Sequence, residues 1–228
     1  MINTSQMKSE EPANGGGVAL HADSVALITI DVQVDTLDGQ PFEIPGTTAA
    51  SERIEALANA FRATDRPVVH VVRIYLPDGS NAEPFRRGMV SGDVPMLWPD
   101  APGTELAPGL LPEGAAGLDA DLLLKGGVQR VGLQDHIVYK PRWGAFYQTA
   151  LEGLLAEMEV DALVVAGCNF PNCPRATIFE ASERDYHVVV ANDAVSGLTE
   201  GRCAELAGIG VDVLSTHEVI AALAGAHR

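Results

Sequence analysis

Apolar positions along the chain follow two alternating patterns. The first is a short continuous run: Ser24 to Asp31 (SVALITID), Arg66 to Leu76 (RPVVHVVRIYL), HIVY ahead of Lys140, Asp161 to Gly167 (DALVVAG), YHVVVANDAVSG and VDVLS. Runs of this length, rich in Val and bounded by Gly or charge, read as strands covered on both faces. The second has the spacing of an amphipathic helix. Thr47 to Thr64 puts Ile54, Leu57, Ala58 and Phe61 on one face, with Thr48 or Ser51 as the cap. Thr149 to Met158 does the same with Leu151, Leu154 and Leu155, and PRATIFEASERD, GRCAELAGI and HEVIAALAG continue the alternation. Buried strands interleaved with such helices predict an α/β fold, a parallel sheet with helices on both faces.

The ends and the middle break the pattern. Residues 1–17 are polar and Gly-rich, without period, and are expected to form a flexible tail ahead of a single domain over 18–228. Residues 77 to about 120 hold much of the Pro and Gly, and an irregular excursion of that length inside a compact domain is expected to serve or cap a site.

Composition narrows the class. The 228 residues suffice for one α/β domain, and 15 Lys plus Arg against 31 Asp plus Glu give a formal charge of −16. That field disfavours nucleic acid and anionic membrane and favours small cationic partners, although solubility alone explains it as well. Three cysteines, Cys168, Cys173 and Cys203, are too few for a disulfide framework and read as reduced thiols in a cytoplasm. No apolar run has membrane-spanning length, and no secretory signal is evident.

The chemistry gathers at strand ends. Cys173 lies where the strand DALVVAG passes through the turn CNFPNC into a helix, and Asp31 and Lys140 end two other strands. In a parallel sheet the carboxyl ends share one rim, where open α/β sheets bind their ligands. A carboxylate can take the proton of an attacking thiol, an ammonium can balance the charges, and a helix amino terminus favours the thiolate. The turn can supply backbone N–H groups, from Asn169 and Cys173, to hold an oxyanion. Each residue alone has a plainer reading: Cys173 as packing, Asp31 as a cap, Lys140 as a solvated strand end. A dinucleotide-dependent oxidoreductase is set aside, because DVQVDT stands where a Gly-x-Gly-x-x-Gly turn would be needed.

ITIDVQ, VYKPRWGAFYQTALEGLL and GCNFPNCPRATIFEASERDYHVVVANDAVSG, in that order, resemble the motifs of the isochorismatase-like cysteine hydrolases, which include nicotinamidase and N-carbamoylsarcosine amidohydrolase. The resemblance spans about 24 to 222. It implies a six-stranded parallel sheet, a catalytic Asp31–Lys140–Cys173 triad, a cis Cys168–Asn169 peptide, and an oxyanion hole from the amides of Asn169 and Cys173. The implied reaction is hydrolysis of an amide, lactam or carbamoyl C–N bond in a small molecule through a thioester, in a homo-oligomer, dimer or tetramer. The chain departs from the commoner pattern in having Phe170-Pro171-Asn172 before the cysteine and Pro174 after it. GCNFPNCPR is similar to a branch near streptothricin hydrolase. The Asp-x-His metal motif of nicotinamidases is missing, since residues 32–60 hold no histidine, so no metal and no cofactor are expected.

Pocket candidates come from the same rim. Gln33, two residues after Asp31, points the same way on a continuing strand. Trp143 and Phe146 follow Lys140, Tyr75 ends the second strand, and Phe170 adjoins the cysteine. Arg86 and Arg87 are expected in solvent, with carboxylate binding as the other option. Two rivals to C–N hydrolysis remain: isochorismatase-type vinyl-ether hydrolysis, and a non-catalytic binding module that kept the fold.

Overall fold

A computed structural model describes residues 24–225; the segment expected to be a tail lies outside the described residues. Seven strands form one sheet: β1 (Val25–Ile30), β2 (Val68–Val72), β3 (Val128–Arg130), β4 (Asp135–Tyr139), β5 (Ala162–Gly167), β6 (His187–Val195) and β7 (Asp212–Leu214). Their order across the sheet is β3-β4-β2-β1-β5-β6-β7. Every pairing is parallel except β3 with β4. The six strands expected from sequence are all present. The expected strand count is corrected to seven, because β3 is a three-residue edge strand around a glutamine and carries no apolar run.

The helices are α1 (Thr47–Ala63), α2 (Arg87–Val90), α3 (Ala120–Leu124), α4 (Leu151–Glu157), α5 (Cys173–Ser182), α6 (Glu200–Ala207) and α7 (Thr216–Gly225). The strand period of two sorts the core into layers. On one face Val25, Leu27, Val164 and Val189 pack with Ile54, Leu57 and Phe61 of α1 and with Val219 and Leu223 of α7. On the other, Ile28, Ile30, Leu163 and Val165 pack with Leu151 and Leu155 of α4 and with Ile178 and Ala181 of α5. A helix–sheet–helix sandwich follows. Among the described residues no helix is long and apolar enough to cross a membrane.

The register sets four strand ends beside one another. Asp31 N–H donates to Val71 O (2.9 Å), Lys140 N–H to Val72 O (3.0 Å) and Cys168 N–H to Ile30 O (2.9 Å). Strand β1 runs between β2 and β5, so the chain leaves it toward both sides, the switch point where such sheets open a crevice. The excursion after β2 covers that crevice and is anchored there. Tyr75, Ala82, Val90 and Leu97 form a small apolar cluster of their own, and Leu97 N–H donates to Asp35 Oδ2 (2.9 Å).

Candidate active site

Asp31 takes over directly from β1 with φ of 55°, a left-handed conformation that Asp tolerates better than most residues. The bend turns its carboxylate inward. Lys140, next after β4, reaches past β2 so that its Nζ lies 2.8 Å from Asp31 Oδ2. It is 1% exposed, and Nζ also donates to Arg142 O at 3.2 Å. Burial disfavours the ammonium, but the charge of Asp31 beside it outweighs that and raises the lysine above its ordinary value. The second carboxylate oxygen, Asp31 Oδ1, is buried without a hydrogen-bond partner.

Cys173 opens α5 and is 5% exposed. Its thiol is pushed up to about 12, first by burial and then by the Asp31 charge, with Lys140 pulling the other way. Desolvation and the adjacent carboxylate thus act against the thiolate that the helix terminus favours. The peptide Cys168–Asn169 is cis. Among the described residues, neither the N–H of Asn169 nor that of Cys173 donates to a protein acceptor. Cys168 is a structural thiol, donating to Asp31 O at 3.0 Å, and burial holds it well above the usual thiol range.

Asp31 and Cys173 line a cavity of about 410 Å³, together with Thr36, Cys168, Asn169 and Asn172, with Pro41, Phe42, Glu43 and Ile44, and with Met89, Met96 and Leu97. Tyr75, Arg73 and Arg86 complete it. Arg73, immediately after β2, bonds Lys140 O (2.9 Å), Arg142 O (3.1 Å) and the carboxylate of Glu83. Tyr75 Oη donates to Glu83 Oε2 (3.1 Å) and accepts from Arg86 Nη1 (2.9 Å). Burial works to lift the Glu83 carboxyl, but Arg73 and Arg86 prevail and hold it below its ordinary value.

Of the pocket residues expected from sequence, only Tyr75 lines this cavity along with Asp31, Asn169 and Cys173. Gln33 is corrected. The left-handed turn at Asp31 ends the strand, so the alternation does not carry through, and its amide is consumed by backbone. Nε2 donates to Arg73 O (2.9 Å) and Thr104 O (2.6 Å), while Oε1 accepts from Arg73 N–H (2.8 Å). Trp143 lies edge-on to Phe85 with centroids 6.3 Å apart, lining a separate surface depression. Phe146 packs against Tyr186 at 5.6 Å, inside the core. Phe170 is buried beside α5 and α6, its N–H tied to Ser196 O (2.8 Å) and its ring under Arg202, facing away from the cavity.

Arg86, expected in solvent, is drawn into the wall by Tyr75, whereas Arg87 is exposed as expected. Arg73 was missed. The signal was present, since it ends a buried strand as Asp31 and Lys140 do. Among the described residues, no three His, Cys, Asp or Glu side chains gather as metal ligands.

Comparison with known proteins places this arrangement among relatives. Residues 25–218 match the model of the Isochorismatase domain family. An Arabidopsis thaliana protein named Probable inactive nicotinamidase is 28% identical over 202 residues, 86% of this chain and 94% of its own. The maleamate amidohydrolase of Pseudomonas putida is 28% identical over 178 residues, 75% and 71% of the two chains. The crystal structure of an isochorismatase family protein from Desulfovibrio vulgaris superposes with a TM-score of 0.74 at 30% identity, covering 89% of this chain and 99% of that one.

Proposed function

The chain belongs to the isochorismatase family, and on that premise we propose that it is a cysteine-dependent hydrolase of a C–N bond, an amide, lactam or carbamoyl group, in a small molecule. One observation carries the reading. Asp31 has one oxygen on Lys140 at 2.8 Å and the other buried and unpartnered, next to the Cys173 thiol on the lining of a cavity.

At pH 7 a thiol near 12 costs about 7 kcal/mol to ionise alone, which favours moving its proton as the sulfur attacks. Asp31 Oδ1 takes that proton while Sγ bonds to the carbonyl carbon. The oxyanion accepts hydrogen bonds from the free amides of Asn169 and Cys173. When the C–N bond breaks, the proton on Asp31 passes to the leaving nitrogen, and a thioester remains. Water then attacks it, giving a proton to Asp31, and the proton returns to sulfur as the acid leaves. Lys140 balances the carboxylate charge throughout.

The test is ammonia or amine release from a panel of primary amides, lactams and carbamoyl compounds. Cys173→Ala should abolish release, a fall of at least ~10³-fold for a lost nucleophile, with circular dichroism unchanged. Wild-type turnover by that variant would overturn the proposal. The relative named inactive favours one rival, a binding module that kept the fold. That rival predicts ligand affinity with no release from any compound.

A further inference from the structure

Both backbone polar groups of Asp31 are tied to neighbouring segments. Its N–H donates to Val71 O at the end of β2, 2.9 Å away. Its carbonyl oxygen draws three donors: Gln33 N–H at 3.0 Å, Thr36 Oγ1 at 3.1 Å and Cys168 Sγ at 3.0 Å. The first two belong to the single turn after β1 (Val34–Thr36) and its cap, and the third directly follows β5. A carbonyl offers two lone pairs, so a third donor is more than hydrogen-bond satisfaction asks for.

The residue needs holding. A φ of 55° is a conformation that a residue with a Cβ keeps only where its surroundings enforce it. Its side chain is fixed at one oxygen alone, by Lys140 on Oδ2, while Oδ1 is buried with no partner to set its direction. Orientation of Oδ1 therefore has to come from the backbone. Cys168 suits the task, because burial keeps its thiol protonated and so a donor. Its N–H also bonds Ile30 O at 2.9 Å, so one residue holds two successive carbonyls at the exit of β1. Gly167 permits that approach, since a side chain there would collide with the backbone of Ile30. Thr36 has one hydroxyl proton and two carbonyls in reach, Gln33 O at 2.8 Å and Asp31 O at 3.1 Å. Already shared, it does not substitute for the thiol.

We propose that Thr36 and Cys168 are positioning residues, a hydroxyl and a thiol that clamp the Asp31 carbonyl, hold the left-handed bend and so aim Oδ1 at the Cys173 thiol. For turnover this rests on the reading of Cys173 as nucleophile. It gives the second buried thiol of the site a role in which it does not react. The signature belongs in kcat, because a base turned slightly away slows proton transfer while the cavity walls that bind substrate stay in place.

The experiment compares Thr36→Val, Thr36→Ser, Cys168→Ala and Cys168→Ser with wild type, by kinetics on the compound of the panel that wild type turns over best and by crystallography. Thr36→Val and Cys168→Ala should each lower kcat about 3- to 10-fold, the worth of one neutral hydrogen bond. Combined, they should lower it about 10- to 100-fold with KM little changed. The two serine variants return a donor and should recover most of the loss. In crystals of the combined variant Asp31 should leave the left-handed region and Lys140 Nζ should draw away from Oδ2. A loss carried by KM, or one that serine does not recover, would overturn the proposal. Complete loss of turnover in Cys168→Ala with Asp31 unmoved would make Cys168 a reacting group and overturn it equally. Should the combined variant not fold, the single variants carry the same comparison. If wild type turns over no compound of the panel, the nucleophile reading fails and the crystal structures decide alone. Asp31 displaced in the variants keeps the clamp, and Asp31 unmoved removes it.

Discussion

Replacing Lys140 by Met would keep the length and apolar stem of the side chain and delete the ammonium that faces Asp31. The carboxylate would then be 7% exposed with neither oxygen paired, since Oδ1 already lacks a partner and Oδ2 holds only Lys140. Removing one partner of a buried pair leaves the other charge uncompensated, which costs roughly 3–5 kcal/mol, so the variant should be less stable than wild type by about that amount. Urea unfolding followed by tryptophan fluorescence at pH 7 measures the gap. A difference under about 1 kcal/mol would refute a desolvated, charge-balanced pair.

Two further outcomes follow from the same packing. At Gly167, with φ of +133°, a Cβ would meet Ile30 O at 2.3 Å and Ile30 N at 2.6 Å. Because both are strand backbone, Gly167→Ala should cost at least about 3 kcal/mol in urea unfolding, and a loss below about 1 would disprove the close approach. Burial also lowers His70 below its ordinary value, against the pull of Asp135. The unfolded state then takes up the proton first, so this stability is present above about pH 6.5 and lost as pH falls below it. Wild type should weaken from pH 7 to pH 5, and His70→Gln should flatten that slope; an unchanged slope would mean that His70 does not set it.

Much of the site was legible because its parts are local. Asp31, Lys140 and Cys173 each end an apolar run, and parallel strands of similar length bring such ends to one rim whatever the details of packing. The cis peptide was expected only through resemblance, since no local periodicity announces it, whereas the amides of Asn169 and Cys173 were legible from the turn at a helix start. The edge strand Val128–Arg130 was invisible for a related reason: three residues around Gln129 carry no pattern, and pairing with β4 alone makes them a strand.

The pocket wall was where reading by adjacency failed. Gln33, Trp143, Phe146 and Phe170 all lie within a few residues of the reactive trio, yet none lines the cavity. A single left-handed residue reverses where the next side chain points, and an aromatic ring goes wherever it buries most area. Arg86, 55 residues from Asp31 along the chain, faces the cavity because Tyr75 and the apolar cluster of the excursion hold it there. The sequence by itself determined the layers, the strand order's consequences at the rim and the three groups proposed for the chemistry, because period and charge at strand ends are local properties. Tertiary structure alone decided which residues surround the thiol, and that burial and the Asp31 charge raise it above its ordinary value. Those outcomes depend on desolvation and on contacts between segments far apart in sequence.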